Sequence, residues 1–311
     1  MKDPADRSIC AGAAGAGELP ELHAADMKLI GEGGNSRVYD LDADKVVKVF
    51  HANIPPDMIY YEYSQSQEAC AAGVPCAACY GMVRVDGCLG IVYERLGSQD
   101  LLSVIRHDRT HLKDYIRDFA GQVRRMHARR VDTTRLKDAK QVFESYLTRL
   151  EGRLCSPDEV ERLRKICGII PERATFIHGD CHPGNVLSKD GKLLLIDLSS
   201  CGYGHPVFDL AGMCSIYLLS SRDEERRKRL VPARDFTGEE CAVIWNTFLA
   251  SYFRTGDETF LKKVQEQLVG FVRVRSLLRT LIVPDEDLHL YRKAKQEALR
   301  YVDQGPDPLC F

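Results

Sequence analysis

The stretch Phe176-Ile-His-Gly-Asp-Cys-His-Pro-Gly-Asn-Val-Leu187, with Leu193-Leu-Leu-Ile-Asp197 behind it, constrains this chain more than any other. An apolar run leads into a polar loop that carries His178, Asp180, His182 and Asn185. A short hydrophobic segment, an Asp-Gly turn and a second apolar run then end on Asp197. The pattern predicts a strand, a loop, and a hairpin whose far end returns a carboxylate to the loop. Two carboxylates and an amide gathered this way suit a hydroxyl nucleophile and Mg²⁺, the parts needed for phosphoryl transfer.

Upstream, residues 27–50 read as strand, turn, strand, turn, strand. Gly31-Glu-Gly-Gly-Asn-Ser36 forms the first turn, and Val46-Val-Lys-Val-Phe50 the third strand. Backbone at Gly31, Gly33, Gly34, Asn35 and Ser36 can approach a ligand closely and aim N–H groups at phosphate oxygens. A glycine-rich hairpin alone is a weak signal, because hairpins need glycine anyway. Lys48 strengthens it: a lysine inside an apolar strand is costly unless its ammonium meets an anion. Its neighbour Lys45 reads as an edge or snorkelling side chain. The next segment, 57–73, has a helical interior, with Asp57 as its cap and Gly73 as its stop. Its Glu62 is the expected partner of Lys48; Glu68 lies near the C-terminal end, where the helix dipole disfavours a carboxylate.

Residues 80–95 read as a hairpin about Asp86-Gly87, completing a five-stranded antiparallel sheet that carries one helix. Glu94-Arg-Leu-Gly97 breaks the pattern and reads as a hinge. From Ser98 the spacing turns helical, with helices expected over 100–107, 112–127, 142–154, 158–169, 210–219, 238–253, 259–281 and 285–302. His127, at the end of its helix, reads as a structural residue rather than a ligand. The organisation expected is a disordered arm over 1–20, a nucleotide-binding lobe over 21–97, and a catalytic and substrate-binding lobe over 98–311.

Composition excludes several classes. A net charge of -2 gives no reason to expect a nucleic-acid surface, and no apolar run approaches a membrane span. The N-terminus lacks the layout of a secretion signal, so a cytoplasmic protein is expected. The twelve cysteines are scattered apart from Cys76-Ala-Ala-Cys79, so buried reduced thiols are expected, not a zinc site or a disulfide framework.

Taken in order, Gly31-x-Gly33, Lys48, Glu62, His178-Gly-Asp180-x-His182-Pro-x-Asn185 and Ile196-Asp197 resemble the protein-kinase-like fold. The branch resembled is that of aminoglycoside phosphotransferases, choline kinases and related small-molecule kinases. The resemblance runs from about Met27 to Met213 and implies an α+β, bilobal architecture. It implies that Asp180 orients the acceptor hydroxyl, that Asn185 and Asp197 hold Mg²⁺, and that Lys48, aligned by Glu62, contacts the phosphates of ATP or GTP. It further implies that the Gly31–Ser36 backbone covers the triphosphate, that hinge residues Glu94 and Leu96 meet the nucleotide, and that His178 and His182 brace the loop. Asp209, in His205-Pro-x-x-Asp209, resembles the family's structural aspartate.

There are departures. Asp197 is followed by Leu198-Ser199 and not Phe-Gly, and no Ala-Pro-Glu precedes Asp209, so a peptide-docking segment has no room. That argues for a small-molecule acceptor. Cys76 stands where relatives often carry a second proline. Pro284-Asp-Glu-Asp287 can offer acids to a cationic acceptor, but acids after a proline are also what a helix start wants. Other readings weighed are a kinase-like protein that binds nucleotide without transfer, a protein kinase, and a zinc hydrolase using His178, Asp180 and His182. The last leaves Lys48, the glycine turn and Asp197 without a role. Oligomeric state is not readable.

Overall fold

A computed structural model describes residues 18–311. Most of the arm expected over 1–20 lies outside the described residues, but its last part is ordered. Leu19 packs on the sheet, and the Pro20 carbonyl accepts the Arg84 N–H at 2.8 Å.

The chain divides into two compact units. The first runs to Asp100 and takes back Asn185–Ser200; the second holds Leu101–Gly184 and Cys201–Phe311. The expected division at residue 97 is thus corrected for one segment. The hairpin after the loop belongs with the sheet, because Gly97 N–H donates to the Ser188 carbonyl at 2.9 Å and Ala77 N–H to that of Leu195 at 3.0 Å. Gly97 is required there: a Cβ on it would sit 2.5 Å from the Ser188 oxygen.

In the first unit the strands are β1 (Glu21–Leu22), β2 (Lys28–Glu32), β3 (Ser36–Asp40), β4 (Lys45–Phe50), β5 (Cys79–Val85) and β6 (Cys88–Glu94), in the order β1-β5-β6-β4-β3-β2. The expected five-stranded antiparallel sheet is therefore a six-stranded mixed one, since β1 adds parallel to β5. Two residues are too few to show an alternation. Strand β4 shows why the sheet carries its helix on one side. Val47 and Val49 join Val83, Val85 and Val92 on one face, whereas Phe50 packs with Met82, Ile91 and Ile59 of helix α1 (Pro56–Ala71) on the other. Lys48 alternates with Val47 and Val49 and so shares the α1 face with Phe50. Pro55 occupies the N-cap of α1, and Asp57 sits in its first turn instead of capping it. Asp86 and Gly87 both have positive φ (47° and 80°), the type I′ geometry that matches strand twist.

The second unit is mostly helical. It contains α2 (Leu101–His107), α3 (Leu112–His127), α4 (Ala139–Thr148), α5 (Pro157–Gly168), and the short strand β7 (Phe176–Ile177), which leads into the polar loop. The hairpin of the first unit, β8 (Val186–Lys189) and β9 (Lys192–Leu195), comes next. Its turn residues Asp190 and Gly191 also both have positive φ. Strand β10 (Gly202–Tyr203) then pairs with β7. Helix α6 (Val207–Met213) passes into a π-helical turn, Cys214–Leu218, and α7 (Leu219–Ser221). Then come α8 (Glu224–Arg229), α9 (Gly238–Phe253), α10 (Glu258–Ser276) with a 3-10 continuation at Leu277–Leu281, and α11 (Arg292–Asp303). Helix α4 starts earlier than expected because the Asp138 side chain accepts from the Lys140 and Gln141 N–H groups and fixes its start, and it ends at Thr148. Helix α5 opens on a capping box of Ser156 and Glu159. The core runs through Phe119 against Phe248 and Phe143 against Phe271, at ring separations of 5.6 and 5.1 Å.

All described cysteines are free; Cys310 is exposed, and Cys70, Cys79 and Cys88 are half-buried. No helix among the described residues is long and apolar enough to cross a membrane.

Candidate active site

The first unit gathers a lysine between two carboxylates. Lys48 Nζ lies 2.6 Å from Glu62 Oε1 and 3.2 Å from Asp197 Oδ1. Glu62 reaches it because α1 lies on the Lys48 face of β4, and because Tyr93 of β6 donates to the same carboxylate at 3.4 Å. Ser66, one turn on, hydrogen-bonds both the Glu62 carbonyl and the Tyr93 hydroxyl. Burial works against the charge on Lys48, yet Glu62 and Asp197 more than offset it, and its pKa is raised. Burial also raises the Glu62 carboxyl, in spite of the lysine. The pair is tight because neither partner has enough water to be content alone.

Asp197 and Asn185 stand at the open end of the β8–β9 hairpin. Val186 faces Leu195 in the ladder, and Ile196 N–H donates to the Asn185 carbonyl at 3.1 Å, so the chain delivers the two residues side by side. Asp197 is exposed, has a φ of 59°, and accepts from Ser199 Oγ at 3.2 Å. An amide and a carboxylate are hard oxygen donors, of the kind Mg²⁺ takes.

The glycine turn links β2 to β3. Gly33 N–H donates to the Ser36 carbonyl at 2.9 Å and His51 N–H to that of Asn35 at 3.0 Å, while Gly33, Gly34 and Asn35 are exposed. No described protein atom lies within 4 Å of where a Cβ on Gly34 would stand. Bare backbone is thus open to an approaching group. At the expected hinge, Glu94 Oε1 is held by Lys189 Nζ at 2.6 Å and Leu96 is half-buried. The Glu94 side chain is therefore committed within the protein, and so is its N–H, which donates to the Ala78 carbonyl at 2.8 Å. Lys45 corrects an expectation: it is buried at 8 % exposure, not snorkelling, with its ammonium 5.7 Å from the Tyr80 ring centre.

The polar loop belongs to the second unit and is built differently. Buried Asp209 accepts the N–H groups of His178 at 2.9 Å and Gly179 at 2.7 Å, one on each oxygen. Gly179 has a φ of 84°, a conformation that glycine adopts freely. His178 Nδ1 accepts the Asp180 N–H at 3.3 Å, and His182 Nδ1 accepts that of Gly184 at 3.0 Å. Both imidazoles therefore stitch the loop. Asp180 itself is exposed, with His182 Nε2 3.8 Å from its carboxylate. Among the described residues no group of three or more His, Cys, Asp or Glu side chains could hold a metal ion, which leaves the zinc-hydrolase reading without a centre.

The support of Asp209 was not readable from sequence. His127 Nε2 meets its carboxylate at 2.9 Å, and His127 Nδ1 meets the Tyr252 hydroxyl at 2.8 Å. Burial would raise the Asp209 pKa, but His127, His178 and the backbone donors outweigh it and hold the carboxyl below the usual range. Tyr93, Ser199 and Tyr252 carried no signal at all; the strand and helix patterns around them are ordinary.

A sheet-borne lysine paired to a helix glutamate, a hairpin ending on Asp197 and a loop pinned by a buried aspartate define the protein-kinase-like class. The whole described chain agrees. Aminoglycoside phosphotransferase APH(4)-Ia superposes with a TM-score of 0.56 at 14 % identity, over 91 % of this chain and 94 % of that one. A choline/ethanolamine kinase family protein from Mesorhizobium loti gives 0.52 at 15 % identity, over 90 % and 92 %. These likenesses speak for the fold. Within it, the chain belongs to the phosphotransferase enzyme family (APH), whose sequence model matches residues 26–242. It is also 28 % identical over 120 residues to methylthioribose kinase of Bacillus velezensis, a match spanning 34 % of this chain and 29 % of that enzyme.

Proposed function

We propose that this protein transfers the γ-phosphoryl group of ATP or GTP to a hydroxyl of a small molecule, with Mg²⁺ as cofactor. The observation that carries the reading is Lys48, held at 2.6 Å from Glu62 and 3.2 Å from Asp197. Such a cation has no structural need for two carboxylates, and it suits the α- and β-phosphates of a bound nucleotide. Asn185 and Asp197 would hold Mg²⁺, which supplies neutralisation of phosphate charge. The Gly31–Ser36 backbone covers the triphosphate, and the chain at Glu94 and Leu96 meets the base. Asp180 orients the acceptor hydroxyl and takes its proton as the oxygen–phosphorus bond forms; ADP or GDP leaves. A carboxylate is a weak base, so positioning contributes more than early proton removal.

The test is nucleotide turnover with Mg²⁺ across a panel of hydroxylated small molecules, for wild type and Asp180→Asn. Transfer to at least one acceptor, falling about 10³-fold in the variant without loss of nucleotide binding, is expected. Nucleotide binding with no transfer to any acceptor would leave a binding protein, and phosphorylation of a protein alone would leave a protein kinase.

A further inference from the structure

The last turn of helix α1 sets one cysteine against another. Gly73, with a φ of 67°, ends the helical run; its N–H donates to the Cys70 carbonyl at 3.0 Å, and that of Val74 to the Ala69 carbonyl at 2.9 Å. The chain thus doubles back on the turn it has just left. Pro75 stiffens the return, and Cys76 Sγ comes to lie 3.8 Å from Cys70 Sγ. Cys70 is half-buried and meets solvent, whereas Cys76 is buried. Cys70 Sγ also lies 3.6 Å from the Ala77 carbonyl, to which its protonated form donates.

The sequence singles out a different pair, Cys76-Ala-Ala-Cys79. Cys79 stands on β5, and burial pushes its thiol up to about 12. The same cause pushes Cys155, Cys167 and Cys241 up to about 11 and Cys214 to about 12, the behaviour of sulfurs that serve as apolar filling. Cys70 goes the other way. The hydrogen bond from Cys76 outweighs burial and holds it down to about 7. A thiol with thiolate character, open to solvent and touching a second thiol, has the arrangement that oxidation by a small peroxide requires.

We propose that Cys70 and Cys76 form an oxidation site, in which a hydroperoxide oxidises half-buried Cys70 and Cys76 closes the disulfide. The Cys70 thiolate attacks one oxygen of hydrogen peroxide. The O–O bond breaks, the sulfur becomes a sulfenic acid, and the other oxygen leaves as hydroxide, which the proton shed by Cys70 converts to water. The Cys76 sulfur then attacks the Cys70 sulfur; the S–O bond breaks, and a second water leaves with the Cys76 proton. Two thiols and one peroxide thereby give one disulfide and two waters. The sulfurs close by about 1.8 Å to bond. Cys76 bridges Leu195, and Ala77 N–H donates to the Leu195 carbonyl at 3.0 Å, so the bond fastens the end of α1 to the segment that holds the β8–β9 hairpin.

The experiment treats the reduced full chain with hydrogen peroxide and dimedone, a trap for sulfenic acid, at about pH 8.5, so that loss of the Cys76 hydrogen bond does not hide the first step. No Lys or Arg lies between Lys48 and Arg84, so trypsin leaves Cys70, Cys76 and Cys79 on one peptide, and variants must assign the bond. In wild type and C79A that peptide should lose two hydrogens, reversibly with dithiothreitol. C76A should stay open and carry about fivefold more dimedone on Cys70 than wild type. C70A should form no bond within the peptide; C70S, closer in shape, replaces it if C70A melts early. Loss of the bond in C79A, a bond in C70A or C70S, or equal dimedone on wild type and C76A would overturn the proposal. All of these readings are made by mass and stand apart from any phosphotransfer.

Discussion

The two units hold their working residues in opposite ways. In the first, Lys48, Glu62 and Asp197 restrain one another by ion pairs, so the acting groups are also the supporting ones. In the second, Asp180, the proposed catalytic residue, is exposed on a loop whose backbone is pinned elsewhere, by buried Asp209 backed by His127 and Tyr252. Mutual restraint economises on residues but couples chemistry to stability. A separate brace costs extra buried polar groups, and it lets the loop backbone be held by a carboxylate other than the proposed catalytic one.

The sharpest break would come at Lys48. Lys48→Met should reduce phosphoryl transfer about 10²-fold, as loss of a preorganised charge does, and should also lower the melting temperature, because Glu62 keeps its burial and loses its cation. Thermal melts and acceptor assays on one preparation check both; activity lost with an unchanged melt would end the claim of double duty. Asp209→Ala comes next. It strips acceptors from two loop N–H groups and from buried His127, and should destabilise by about 3 kcal/mol, read from urea midpoints at constant slope. A variant as stable as wild type would mean that the brace is not one.

Acid sensitivity gives a smaller effect of fixed sign. The Asp209 carboxyl is depressed in the fold, so its contribution to stability is fully present above the unfolded value and is lost as pH falls through the folded one. Melting temperatures of wild type and Asp209→Asn should therefore converge below about pH 4 and diverge above it. Convergence on the alkaline side would reverse the argument. The smallest effect concerns the far end of α1. A hydrogen bond from Cys76, whose sulfur is 3.8 Å away, holds the half-buried Cys70 thiol down to about 7. Iodoacetamide should label Cys70 with a midpoint near that pH, moving toward the ordinary thiol range in Cys76→Ala.

What sequence could show here followed from how local the cause was. Two Asp-Gly turns, a lysine in an apolar strand and the loop from His178 to Asn185 all act through near neighbours, and each was legible. The pairing of Lys48 with Glu62 was legible because only two acids on α1 could serve. The rest depended on distant partners. His127 finds Asp209 across 82 residues, Tyr80 lies over Lys45, and the Gly97–Ser188 contact moves the β8–β9 hairpin into the first unit. Strand β1 is too short for a pattern, and the helices expected over 210–219, 259–281 and 285–302 each change to π or 3-10 geometry part-way. Periodicity near four cannot separate those from an α-helix.

Asp197 adopts a backbone conformation that a side chain accepts reluctantly, with φ at 59°. Glycine would relieve roughly 1 kcal/mol of backbone strain there, but it would also remove the carboxylate that sits 3.2 Å from Lys48 Nζ. The two effects oppose each other, so selection for heat resistance alone has little to gain at position 197 by losing the acid.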